Sequence, residues 1–110
     1  MQKKVKLALQ PTNIPSYFIN RKNTLEFPSI VYTIVENSDG NSGDEEELTG
    51  YEIFINLYSK GNFIQDKENI KRAMERNEFF YKVSIPSAFY DEELDCYVQP
   101  FQYRSFTDNL

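Results

Sequence analysis

The chain has 110 residues, a net charge of −5 and a pI near 4.7, with eight tyrosines, nine phenylalanines, one cysteine, no tryptophan and no histidine. That length fits one domain, residues 1–110, with a single core. The lack of histidine removes the commonest general base, triad partner and metal ligand, and the lone Cys96 excludes an internal disulfide.

Along the chain, Lys3 to Gln10 carries Val5, Leu7, Ala8 and Leu9 ahead of Pro11, and is read as a short N-terminal helix. Ile14 to Ile19 is predicted as an edge strand, because Pro15 lacks the donor that an interior strand needs. In Ser29 to Glu36, Ile30, Tyr32 and Ile34 alternate with Val31, Thr33 and Val35, the pattern of a strand with two partly covered faces. Residues 37–48 hold glycine, asparagine, serine and five acids, a composition that predicts a mobile acidic loop.

The strongest alternation runs from Tyr51 to Lys60, with Tyr51, Ile53, Ile55 and Leu57 on one face, and antiparallel pairing with residues 29–36 is expected across the loop. Asp66 is the expected N-cap of a helix to about Asn77, with Ile70, Ala73 and Met74 as its apolar stripe and Glu68 paired with Arg72. Phe79 to Ser84 and Cys96 to Phe106 read as strands flanking the acidic turn Asp91 to Asp95, with Pro100 at an edge or bulge. The expected fold class is α+β: a mixed, mainly antiparallel sheet with one long helix packed on it and a short N-terminal helix.

Charge is unevenly placed. Residues 1–22 carry Lys3, Lys4, Lys6, Arg21 and Lys22 with no acid, and residues 36–52 carry seven acids' worth of character in Glu36, Asp39, Asp44, Glu45, Glu46, Glu47 and Glu52 with no base. This polarity argues against general binding of nucleic acid, which needs a basic surface, and suits head-to-tail contact between copies.

No residue spacing marks a catalytic pair. Asn37, Asp39 and Asn41 begin like a calcium loop, but Ser42 stands where glycine is required and Leu48 where glutamate should ligate. Gly40 and Gly43 lie among acids that repel phosphate, and Cys96 beside Asp95 is a poor thiolate. No enzyme activity, cofactor or metal is expected. No membrane-spanning run or signal peptide is read from the sequence, so a cytoplasmic protein is expected.

The order of elements resembles the tail terminator, or tail completion, proteins of long-tailed bacteriophages and prophages. The resemblance rests on Ile14 to Phe18, the Pro28 to Tyr32 strand, the Ser38 to Glu47 loop, the alternating Tyr51 to Leu57 strand, the Asp66 to Asn77 helix, and closing strands from Phe79 to Phe106 around Tyr90 to Glu93. It implies a non-enzymatic protein of virion assembly that forms a hexameric ring, ends growth of the tail tube and joins the tail to the head connector. The implied partners are further copies, the tail-tube protein and the connector, with DNA passing the ring without specific binding and no membrane involved. The implied locations are the cytoplasm of the bacterial host during assembly and then the virion. Asp44, Glu45, Glu46 and Glu47 are candidates for a lumenal or interface loop, and Lys3, Lys4, Lys6, Arg21 and Lys22 for a subunit contact. The alternative reading is a small acidic binding or inhibitory protein, a DNA mimic or immunity factor acting as a monomer on a basic partner.

Overall fold

The computed structural model describes residues 1–19, 26–38 and 48–108. Helix α1 is Gln2–Leu9, followed by a 3-10 turn Gln10–Thr12 and the strands β1 (Ser16–Phe18), β2 (Ser29–Ser38) and β3 (Leu48–Ser59). Helix α2 is Ile64–Glu75, and β4 (Tyr81–Ser84), β5 (Phe89–Asp91) and β6 (Cys96–Asp108) follow it among the described residues.

The strands form one sheet in the order β1-β2-β3-β6-β4, with β5 also paired to β6. Among the described residues β1 and β2 run parallel and the other pairs are antiparallel. The predicted α+β class, the β2–β3 pairing and the short first helix therefore hold. Both expected helices are present among the described residues, α1 with 8 residues and α2 with 12, so the second is the longer of the two without being a long helix.

Period-2 alternation sorts the sheet into two faces. Ile30 and Tyr32 of β2, Ile53, Ile55 and Leu57 of β3, and Phe101 and Tyr103 of β6 are buried together. Each helix covers this face with residues at the same spacing, Val5, Ala8 and Leu9 from α1 and Ile70, Ala73 and Met74 from α2. Tyr103 reaches through the core so that its hydroxyl donates to Glu75 Oε2 at 3.1 Å. Burial first, and then the Glu75 charge, push that phenol above its ordinary range and keep it protonated.

Several boundaries differ from the sequence reading. The second helix starts before Asp66, because Asn62 Oδ1 accepts from the Ile64 N–H at 3.2 Å and turns the chain earlier. Asp66 lies in the first turn, where its charge faces the positive end of the helix. The helix stops at Glu75, and Asn77 Oδ1 accepts from the Phe79 N–H. Glu68 pairs with Lys71 at 3.6 Å. Phe79 lies ahead of β4, and Phe80 turns into the core, so that strand is shorter than predicted. Asn37, Ser38 and Leu48, assigned to the loop by composition, belong to strands, because the β2–β3–β6 ladder continues past the apolar residues. Residues 39–47 lie outside the described residues.

Pro100 sits inside β6, yet in the gap between β5, which pairs with residues 96–98, and β4, which pairs with residues 102–104. The buried Gln99 fills this gap: its Nε2 donates to the carbonyls of Pro86 and Pro100, each at 2.8 Å. Two carbonyl acceptors select the amide nitrogen for that position. Ser105 Oγ likewise donates to the Phe79 carbonyl at 2.8 Å.

Two stability predictions follow from these positions. Gln99→Ala should cost roughly 2 kcal/mol in urea unfolding, since it strands two carbonyls and leaves a void, and should speed amide exchange over residues 85–88. Ile19 adopts φ 72, a left-handed conformation that a β-branched residue reaches with strain, and its side chain is largely exposed. Ile19→Asn should therefore stabilise the fold by up to about 1 kcal/mol in the same assay.

Candidate interaction surfaces

The helices cover one face of the sheet only. The other face carries Val35, Phe54, Tyr81 and Phe106, all exposed, with the rings of Tyr81 and Phe106 6.2 Å apart. In its midst Glu52 lies directly across from Arg104. Glu52 Oε2 accepts from Arg104 Nε at 2.6 Å, and Oε1 accepts from Arg104 Nη2 at 3.4 Å and from Gln102 Nε2 at 3.0 Å. The Arg104 hydrogen bond, against the opposing effect of burial, holds the Glu52 carboxyl below its ordinary 4.5.

At the β1 edge, α1 and the segment entering β1 enclose an open groove of about 770 Å³. Its walls are Lys3, Lys6, Leu7, Ile14, Pro15 and Tyr17, among others. Local hydrogen bonding builds this wall. Thr12 Oγ1 donates to the Leu9 carbonyl at 2.6 Å and accepts from the Ile14 N–H at 3.2 Å, while Asn13 takes the left-handed φ of 59° that turns the chain. Leu7 falls off the Val5/Ala8/Leu9 stripe, so it is left 64% exposed at the groove. Tyr17 Oη donates to Glu26 Oε2 at 2.8 Å, which raises its phenol pKa.

At the opposite edge, β5 and the turn after it project Phe89, Tyr90, Glu92 and Glu93, all exposed. Its conformation is fixed from within. Asp91 Oδ1 accepts from the N–H groups of Glu93 at 3.0 Å and Leu94 at 3.2 Å, Tyr90 Oη bonds Asp95, and Lys60 Nζ lies 3.4 Å from Asp95 Oδ2. The rings of Tyr90 and Tyr97 stack edge to face at 5.3 Å.

The structure splits the basic residues singled out in the sequence. Lys3 and Lys6 share the groove, and Lys4 lies on another side of α1, its Nζ 3.9 Å from the centre of the Phe79 ring. Arg21, Lys22 and the acidic set Asp44, Glu45, Glu46 and Glu47 lie outside the described residues. Among the described residues no cluster of acids and cysteine is placed to hold a metal. No helix among them is long and apolar enough to cross a membrane.

Sequence reasoning missed the groove, which is lined by residues of one short stretch from Lys3 to Tyr17 but depends on how α1 packs beside β1, and the Glu52–Arg104 pair, which joins residues distant in the chain. The exposed aromatics Phe89 and Tyr90 beside the acidic turn were a legible signal, as was Leu7 off its helix stripe.

Glu52→Gln should lower stability by about 1 kcal/mol at neutral pH. The lowered carboxyl pKa means that the pair contributes fully above pH 4.5 and is lost as pH falls through the shifted value. The acid limb of the stability profile below that pH should therefore be shallower in the variant, as urea midpoints taken across acidic pH would show. Compared with protein-family models and with curated proteins, the chain matches none.

Proposed function

We propose that this protein is a non-enzymatic structural component of phage virion assembly, a ring-forming tail terminator or completion protein that ends tail-tube growth and joins the tail to the head connector. The observation that carries this reading is the open face of the sheet, where Val35, Phe54, Tyr81 and Phe106 stand exposed around a tightly bonded ion pair. An apolar sheet face flanked by charge is the chemistry of a protein contact. The resemblance of the element order to that of tail terminators gives that contact an assembly setting, and the aromatic richness of the chain suits interfaces as well as cores.

Such a ring has the chain itself as first partner, with tail-tube and connector proteins on its two sides and DNA crossing its channel without being bound by sequence. No cofactor takes part. The protein would act in the bacterial cytoplasm during assembly and remain in the virion.

Light scattering across a concentration series, at low and moderate salt, tests the reading. The expected result is a multimer of about six copies that fills in with concentration, as a closed heterologous assembly does. A strict monomer that captures a basic nuclease or polymerase would replace the ring with the acidic inhibitor.

A further inference from the structure

The groove at the β1 edge and the turn at the β5 edge are complementary in chemistry and cannot meet within one chain. The groove offers two lysines, Lys3 and Lys6, over the apolar Leu7, Ile14 and Pro15. The turn offers two carboxylates, Glu92 and Glu93, beside the exposed rings of Phe89 and Tyr90. Among the described residues neither glutamate makes an ion pair. Four strand spacings separate β1 from β5, roughly 19 Å.

The sheet register also sets their heights. Ser16, Ile30, Leu57 and Gln99 lie in one row across β1, β2, β3 and β6. Two residues further along, Ser59 pairs with Tyr97, and Tyr97 pairs with Tyr90 of β5. The Ile14–Ser16 wall of the groove and the acidic turn therefore belong to the same end of the sheet, on opposite edges.

We infer that the Phe89–Leu94 turn of one copy seats in the α1/β1 groove of the next, with Glu92 and Glu93 against Lys3 and Lys6 and the aromatic rings against Leu7 and Ile14. The occupant is a second copy of this chain, and the inference rests on the ring proposed above by naming the contact that builds it. Two different sites on one chain make a heterologous contact, which closes into a ring when successive copies rotate without rising. Sites at one end of the sheet favour that geometry. Because each copy carries a net charge of −5, association requires such a local match to overcome mutual repulsion, and it should weaken as salt screens the four charges.

Charge reversal tests the contact on the full chain. E92K/E93K alone and K3E/K6E alone should each raise the midpoint concentration of association by at least about tenfold. An equimolar mixture of the two variants should recover assembly, since each groove then finds a matching turn on the other variant. As an independent readout, a chain carrying Leu7→Cys and Glu93→Cys should form a disulfide-linked ladder on mild oxidation, and the unaltered chain, whose Cys96 is fully buried, should not. Wild-type multimers unaffected by either reversal, with no ladder, would overturn this contact and leave the ring standing. Monomers at every concentration with no ladder would overturn both, and a ladder from chains that otherwise remain monomeric would uphold the contact as a weak one.

Discussion

The constraint on which the structure depends is the register of β3, held on one side by β2 and on the other by β6. Ile53, Ile55 and Leu57 are fully buried, and a slip of one residue would turn all three to the solvent face and bring Glu52 and Asn56 inward. The opposite face opposes the same slip, because Glu52 meets Arg104 only in the native register. Apolar burial below the sheet and a bidentate ion pair above it thus specify one alignment. The helices then have a fixed surface to cover, and the two edges have fixed positions.

Once β6 is aligned, its far side organises the rest of the C-terminal region. Gln99 and Ser105 project buried polar groups that take the carbonyls of Pro86 and Phe79. Segments with little regular structure are in this way tied to the central sheet by directional bonds. The connection between α2 and β4 and the stretch leading to β5 need no apolar core of their own. This arrangement lets the chain end its sheet with short outer strands while keeping a rigid platform beneath the acidic turn.

Local pattern made much of this legible. Alternation over Tyr51 to Lys60 and the Ile70/Ala73/Met74 stripe are properties of one segment, and both faces emerged where period and polarity placed them. Pro15 and Pro100 also behaved as their missing donors require, one just outside an edge strand and the other at a gap. What escaped depends on how elements pack and pair with one another. Composition assigned Asn37, Ser38 and Leu48 to a loop, whereas pairing of Asn37 and Ser38 with β3 and of Leu48 with β6 extends the strands through them. The groove depends on α1 lying beside β1, and the sequence contains no signal for that docking. Of the basic residues chosen by charge alone, Lys3 and Lys6 converge on the groove, while Lys4 turns to Phe79.

The turn after β5 has a further consequence through its internal bonds. Asp91 holds two backbone N–H groups, Tyr90 holds Asp95, and the Tyr90 and Tyr97 rings support each other. A loop fixed in this way has already surrendered its conformational entropy during folding, so little disorder is left to freeze when a partner surface closes over it. More of each contact then appears as residence time, because preorganisation slows dissociation. A short, rigid, acidic turn can thus serve as a durable joint even where the area it covers is small.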